Sequence, residues 1–577
     1  MLKKILNPKE VLDVFHWNKE KLNVNLTELK EKLRSRFFVS DSSRKEFYIV
    51  LMSSIAGFDA IMDDADLVHE NKIYTIPNFS SFDESRMHHL IWLGKAYWVS
   101  SSEQHTERLK LEIGNFLTLQ RNKDWFDSID SKIALINVIT SLLYFLKSTH
   151  VDDKFLIDFL SFIFRHGYKL KKSLGNISDS INYCAGLTAL LFIGVVFLDT
   201  REGKKWVKES FDGLQKYILD DVMKDGTHSS RDLNCHLLCT EILTTAYVLL
   251  RLNGYRVTDP YIARLELMYD FLDSALDKSG RCHLASSKCS GRLFRTSSRT
   301  ERYDLRDLMA VGAAIFKRED FRTTAERYSD LALMLLGGEG YEKFSTLSPT
   351  EILRSKIFKD GHFAFFKSEQ NWGCFDFGFS DEGTKRPGEG FMSFAISGVN
   401  DFVLHRTRGK DMLPGPVYSG ALVLKYNENE LMKYTVENTS IISTMFGSKE
   451  DIIEVEKDLR TKKQRFSHWR RLSFNKVKRS FLIEDRLSGS GKFNINIPLY
   501  FNHGLKVTRI GRNTLTLEGE EFAFLKIDNE FELVSVDDTW PESLIIKWSG
   551  NLPFTNAIFI FITASLDDLN HIINTSR

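Results

Sequence analysis

Residues 224–241, KDGTHSSRDLNCHLLCTE, put a Gly turn, two histidines and two cysteines at the mouth of an apolar helix. Asp225-Gly226 reads as a turn, and Asp232 or Asn234 can cap the helix that follows. Leu237, Leu238, Ile242, Leu243 and Tyr247 then recur at helical spacing. The pattern places His228 and His236 near a helix start, where polar chemistry is exposed.

Outward from this helix the same period continues in both directions. Helical stretches are expected near 83–100, 105–121, 128–149, 154–171, 180–199, 204–222, 233–253, 259–277, 302–316 and 321–336. Short polar turns join them, and their broad apolar stripes lack the strict heptads of a coiled coil. Helix hairpins packed into a closed or curved array satisfy such stripes. Before them, residues 1–44 read as a peripheral segment, and Asp63-Asp64-Ala65-Asp66 as an acidic, solvated helix exit rather than a metal site.

Near residue 345 the period changes to alternation. GHFAFFK, GCFDFGF, FMSFAIS, RSFLIEDRL, KFNINIPLYF, FAFLKI and SLIIKWSG are among about a dozen β-rich runs separated by Gly, Asn, Asp and Ser. They predict an antiparallel β-sandwich. The fold class is therefore α+β and multidomain, with an all-α domain at 45–345 and a β-sandwich at 346–577. A cleft between two such domains is a usual place for a ligand.

Composition narrows the function classes. The chain of 577 residues is 43% hydrophobic and 27% charged, which is globular. Its net charge of +1 gives no reason to invoke nucleic acid. Six cysteines are scattered without a C-x-x-C pair, so reduced thiols and no metal are expected. Cys235, Cys239 and His236 lack a fourth ligand at recognisable spacing. At the N-terminus, Pro8, Lys9 and Glu10 interrupt the sequence before an apolar core of signal-peptide length develops. The run from Cys184 to Leu198 is shorter than the roughly twenty residues that span a bilayer. The expectation is a soluble, cytoplasmic protein with no membrane insertion.

Several pieces, in this order, resemble the heparinase II/III-like family of polysaccharide lyases. They are Trp125 before SKIALINVITSLLYF, INYCAGLTALLFIGVVF at 181–197, the stretch at 225–241 followed by LLRLNGY, and SGRLFR at 290–295 before LMAVGAAIF. DGHFAFF at 360–366, SFAISG at 393–398, and HWRRLSF with FLIEDRLSGSGKF at 468–493 complete the set. The resemblance implies an N-terminal (α/α) toroid followed by an antiparallel β-sandwich. It also implies β-elimination on an anionic, uronate-containing polysaccharide, with no cofactor. Such a reaction needs a group to neutralise the C5 carboxylate, a base for the C5 proton and an acid for the departing O4.

Against that family pattern four segments lose titratable groups. Asn182 stands at a His place, Cys235 at the Tyr place before His236, and Ser286–Arg292 keeps only the final Gly-Arg of an acidic segment. Arg386-Pro387-Gly388-Glu389-Gly390-Phe391 replaces a His-x-His-x-Asp stretch. The resemblance gives Asn182 a carboxylate-orienting role, against that of a satisfied polar group in the helix array. His236 is either the surviving general acid or base or a structural histidine. Cys235 is a base only as a thiolate, and otherwise a small buried hydrophobe. Arg292 suits bidentate grip of a carboxylate. His228, Glu389 and Arg386 are further substrate-binding candidates, each with a solvated alternative. The loss of these groups also admits a non-catalytic polysaccharide-binding or scaffolding role in surface polysaccharide assembly.

Overall fold

The computed structural model describes residues 22–37, 52, 55, 57–73, 84–119, 128–277, 280, 282, 291–299, 304–350, 354–369, 371–378, 392–397, 402–404, 423–427, 430–431, 435–461, 464–501, 505–518, 522–527, 531–534, 543–554 and 560–563. The chain divides into two units, one of residues 1–273 with 286–351 and the other of residues 274–285 with 352–577.

The first unit holds thirteen helices among the described residues: α1 (Leu22–Arg36), α2 (Phe58–His69), α3 (His89–Ser100), α4 (Glu103–Leu119), α5 (Ile129–Tyr144), α6 (Asp153–Leu174), α7 (Ser180–Val196), α8 (Arg201–Asp220), α9 (Leu233–Leu252), α10 (Asp259–Ala275), α11 (Arg306–Phe316), α12 (Glu319–Ala325) and α13 (Asp330–Ser345). Two kinds of helix alternate. In α5, residues Ser131–Tyr144 are buried without a break, and in α9, residues Leu233–Ala246 are too. A helix that is buried all round and mostly apolar must be covered on every side. Accordingly α3 packs on α5, α5 on α7 and α7 on α9, forming an inner row. Between them α6 and α8 are one-sided. In α8 the buried positions are Gly203, Trp206, Val207, Ser210, Leu214, Tyr217 and Ile218, a stripe at helical spacing facing α7. The helix α9 is long and apolar enough to cross a membrane, but it is the buried core of this unit.

Three expectations differ from the structure. Residues 22–37 are not peripheral: Leu29, Leu33 and Phe37 are buried, and Phe37 packs its ring on Phe192 of α7. The acidic run lies inside α2, which continues to His69, and is solvated only in part: Asp63 and Asp66 are exposed, whereas Asp64 is buried and accepts hydrogen bonds from Ser298. The single helix expected at 321–336 is two, broken where Glu326 takes φ +60° and Ser329 caps α13 by accepting from Ala332 N. A non-glycine residue at positive φ cannot continue a helix.

The second unit is antiparallel throughout its described pairs. A five-stranded sheet runs in the order β1 (Lys356–Phe358), β2 (Phe363–Lys367), β3 (Trp372–Asp376), β4 (Ser393–Ser397), β5 (Phe402–Leu404). A twelve-stranded sheet takes in β6 (Val423–Asn427) and β7 (Glu430–Leu431) and is built around β8 (Thr435–Phe446), β9 (Glu450–Arg460), β10 (Arg465–Asn475) and β11 (Ser480–Tyr500). One core joins the two sheets: Phe366, Phe375 and Phe394 of the smaller pack among Ile453, Val455, Leu472, Phe474 and Phe481 of the larger. That is a sandwich. Gly489 and Gly491 sit at φ +142° and +113° where the register of β11 shifts, a bulge that lets one long strand pair with different neighbours at its two ends.

Candidate functional site

The stretch at 224–241 folds as its residues demand. Gly226 takes φ +93°, and a Cβ there would come within 2.4 Å of the Leu267 backbone, so the turn needs glycine. Asp225 accepts from Thr227 N, and Asp232, rather than Asn234, caps α9 by accepting from Cys235 N at 3.0 Å. A bridge between Val222 and His228 then folds the loop back against the end of α8.

That folding buries what the sequence placed at an exposed rim. His228 and His236 are each 1% exposed. The Nδ1 of His236 accepts the His228 backbone N–H at 3.2 Å, and its Nε2 faces the Met268 carbonyl at 3.0 Å. A carbonyl only accepts and an amide N–H only donates, so the ring is held as the neutral Nε2–H tautomer. Burial pushes its pKa down to about 3, with His228 nearby adding to the shift. Cys235 is buried at the first turn of α9.

A hydrogen-bonded chain that the sequence reading missed starts at His228. Its Nδ1 accepts from Ser230 N at 3.1 Å, which leaves the proton of a neutral ring on Nε2, facing the Tyr217 hydroxyl at 2.9 Å. Ser180 lies 3.1 Å from that hydroxyl and 2.5 Å from Asp221 Oδ1. The carboxylate can only accept the single Ser180 proton, so Tyr217 donates to Ser180. The run His228, Tyr217, Ser180, Asp221 is thus a one-directional relay leading from the interior to the half-buried Asp221. Burial, reinforced by the negative charge that Cys239 and Cys184 carry as thiolates, holds the Tyr217 pKa well above its ordinary value, so the phenol stays protonated. Cys239 lies 3.6 Å from the same hydroxyl. The missed signal was Tyr217 on the buried stripe of α8, where a phenol needs a polar partner.

Asn182 sits in the first turn of α7, half-buried, its backbone N–H capped by Asp179 at 2.7 Å. Its Oδ1 accepts from Lys132 Nζ at 2.5 Å, and Lys132 is a fully buried residue of α5. Asn182 and Ser180 share one helical turn, so the amide and the relay lie at the same end of the unit.

Arg292 is placed elsewhere. It is buried, its Nη2 meets both oxygens of Asp307 at 2.9 and 2.8 Å, and its Nε bonds Glu241. Burial alone would weaken the guanidinium charge, but Asp307 and Glu241 outweigh it and hold its pKa above the ordinary arginine value. Burial raises both carboxyls, which share this one cation. Instead of the bidentate grip expected on a substrate carboxylate, the guanidinium is divided between the chain's own Asp307, met by Nη2, and Glu241, met by Nε. Around Arg292 the extended segment 291–298 is held by α3: His88 bonds the carbonyls of Arg292 and Leu293, Trp92 that of Arg295 and Lys95 that of Thr296. Arg295 is buried with them. Glu389 and Arg386 lie outside the described residues. In the sandwich, His468 and Arg470 are buried against Asp485, and Trp372 is core. Among the described residues no group of three or more His, Cys, Asp or Glu side chains is arranged to hold a metal.

Residues 69–275 match the family described as Heparinase II/III N-terminus. Solved structures similar to this chain include a mutant of the heparan sulfate lyase of Pedobacter heparinus (14% identity, TM-score 0.58, 84% of this chain and 76% of that one). The chondroitin AC lyase of Streptomyces coelicolor in complex with chondroitin sulphate is another (11% identity, TM-score 0.55, 91% and 84%). A xanthan lyase of Paenibacillus is a third (13% identity, TM-score 0.55, 95% and 60%). At these identities the likeness is one of fold, a helical toroid followed by β-sheets. Comparison with curated proteins gives no match.

Proposed function

We propose, on the premise that the chain is heparinase II/III-like and has the fold of the polysaccharide lyases, that it handles an anionic, uronate-containing polysaccharide and acts on it by β-elimination. The observation that carries this reading is the placing of Asn182. Its half-buried amide stands at a helix start within one turn of the Tyr217–His228 relay. An amide donor at the positive end of a helix suits a carboxylate. Neutralising the C5 carboxylate acidifies the adjacent proton, an enolate-like charge develops on that carboxylate as the proton leaves, and the half-buried Asp221 carboxylate is the group of the relay suited to taking that proton. Tyr217, protonated and hydrogen-bonded to His228, is suited to supplying a proton to the departing O4, with Asp221 and Ser180 at the other end of the relay. The neighbours act on heparan sulfate, chondroitin and xanthan by their names, which motivates an anionic substrate here. His236, locked neutral, and Arg292, held by its own carboxylates, have structural parts in this reading.

A second reading, a non-catalytic binder of the same class of polysaccharide, is favoured by one observation. Tyr217, His228 and His236 are each no more than 3% exposed, so the proton-handling groups are shielded while Asn182 is not. Incubation with a panel of uronate polysaccharides, followed by the ultraviolet absorbance of the unsaturated product, separates the two. Product that disappears in Tyr217→Phe supports elimination. Saturable binding without product supports the binder, and neither binding nor product removes both.

A further inference from the structure

The outer helices α6 and α8 concentrate positive charge on one wall of the helical unit. Residues 165–172 and 201–208 hold eight Lys or Arg side chains and one acid, Glu202, in a chain whose net charge is +1, so the rest of the chain is net acidic. The two helices lie against each other and run in the same direction: the Tyr168 ring meets Trp206 edge-on at 5.1 Å, and one turn further along both helices Lys171 bonds Glu209 at 2.8 Å. Arg165, Lys169 and Lys172 recur at i, i+4 and i+7 on α6, and Arg201, Lys205 and Lys208 do so on α8, so each triplet forms a row along its helix. Each row rises about 10 Å. Both rows lie opposite the buried stripes of their helices, and Lys169, Lys172, Arg201, Lys205 and Lys208 are exposed. Lys208 has a partner in Asp212 at 2.8 Å, whereas among the described residues the other cations of the rows form no ion pair. Tyr168, 47% exposed, stands in the seam between the rows.

Cations set in parallel rows repel one another, and a partner carrying negative charge along its length relieves that repulsion. The wall also leads somewhere. Beyond Lys172 the helix α6 ends at Leu174, whose side chain packs against Gly186 of α7, one turn from Asn182. We infer that the α6–α8 wall is a second binding surface, holding a linear anionic polysaccharide by its charge and leading it towards the end of the unit that carries Asn182. Tyr168 offers a ring face that a sugar can cover. It is the one large hydrophobic side chain exposed in these two stretches, too little for a membrane surface, where an apolar face has to insert. That the polyanion is a polysaccharide rests on the proposed uronate reading.

The test measures binding of polygalacturonate, a linear polyuronate, to the full chain by calorimetry across a series of salt concentrations. The triple variant Lys169→Gln, Lys172→Gln, Lys205→Gln is compared with a control triple, Lys359→Gln, Lys492→Gln, Lys506→Gln, which removes the same charge from exposed positions of the second unit. Wild-type affinity is expected to fall with salt, because a polyanion releases its condensed counterions where lysines replace them. The wall triple is expected to lose about tenfold in affinity at low salt and to lower the log–log salt slope by roughly one per lysine, while the control triple keeps the wild-type values. Thermal unfolding reports folding, and Lys169→Gln alone, expected to lower the slope by about one, serves if the triple does not fold. Equal losses in the two triples, or none in either, overturn the wall as a binding surface and leave the uronate reading in place. Wild-type protein that binds no polygalacturonate, or binds its carboxyl-reduced form as tightly, overturns the uronate reading and this inference together. Loss of phosphatidylserine-vesicle binding in the wall triple would then assign the wall to a membrane instead.

Discussion

At His236 the proton sits on Nε2 because Met268 O takes it and the His228 N–H occupies the other nitrogen. The unfolded chain, with an ordinary histidine, binds a proton near pH 6.5 that the folded ring refuses until about pH 3. Stability from this residue is therefore fully present above pH 6.5 and falls as the pH drops towards 3, by roughly 1.4 kcal/mol per pH unit. Denaturant unfolding across that range should show the slope in the wild-type protein and a shallower one in His236→Gln. Equal slopes would mean that the ring is not held neutral. Arg292 makes a second prediction: Arg292→Met leaves Glu241 and Asp307 buried without their cation and should cost about 3–5 kcal/mol, read by chemical denaturation. Arg292→Lys should rescue little, since one ammonium cannot span Glu241, met by Nε, and Asp307, met by Nη2. Site residues were legible in the sequence as types and unequally as roles. His228, His236 and Arg292 were found, but burial, which decides their chemistry, depends on Val222, Met268 and Glu241, which approach from elsewhere in the chain. Tyr217 and Lys132 carried no motif. Each is a polar group on an apolar stripe, and its partner is set by the packing of a neighbouring helix.

Among the elements, α9 and the turn before it were the most legible. Its largely apolar circumference states that it is central, and Asp225-Gly226 and Asp232 mark its approach and cap. Asp232→Ala should remove the cap and cost about 1 kcal/mol. Gly226→Ala should cost more than that, because it adds a Cβ to the Leu267 backbone at a positive φ. Melting temperatures of the two variants measured side by side check the ranking. The break between α12 and α13 was hidden for a physical reason: Phe321, Ala325, Tyr328 and Ala332 keep a helical spacing of buried positions across it, so periodicity alone joins what Glu326 and Ser329 separate. The helix α1 escaped because its buried positions, Leu29 and Leu33, are few among charged neighbours.

On the scale of the whole molecule, the change of period near 345 announced a helical part and a β part, and the relatives share that order. Ligand and reaction depend instead on a handful of side chains, which periodicity cannot weigh. The central claim is that the end of the helical unit carrying Asn182 recognises uronate. It is tested most directly by calorimetric titration of wild-type protein and Asn182→Ala with a uronate polysaccharide and its carboxyl-reduced form. Saturable binding to the uronate form, weaker binding to the reduced form and loss of the difference in Asn182→Ala are expected. Equal binding of both forms by the wild-type protein, or a preference unchanged in Asn182→Ala, would contradict it.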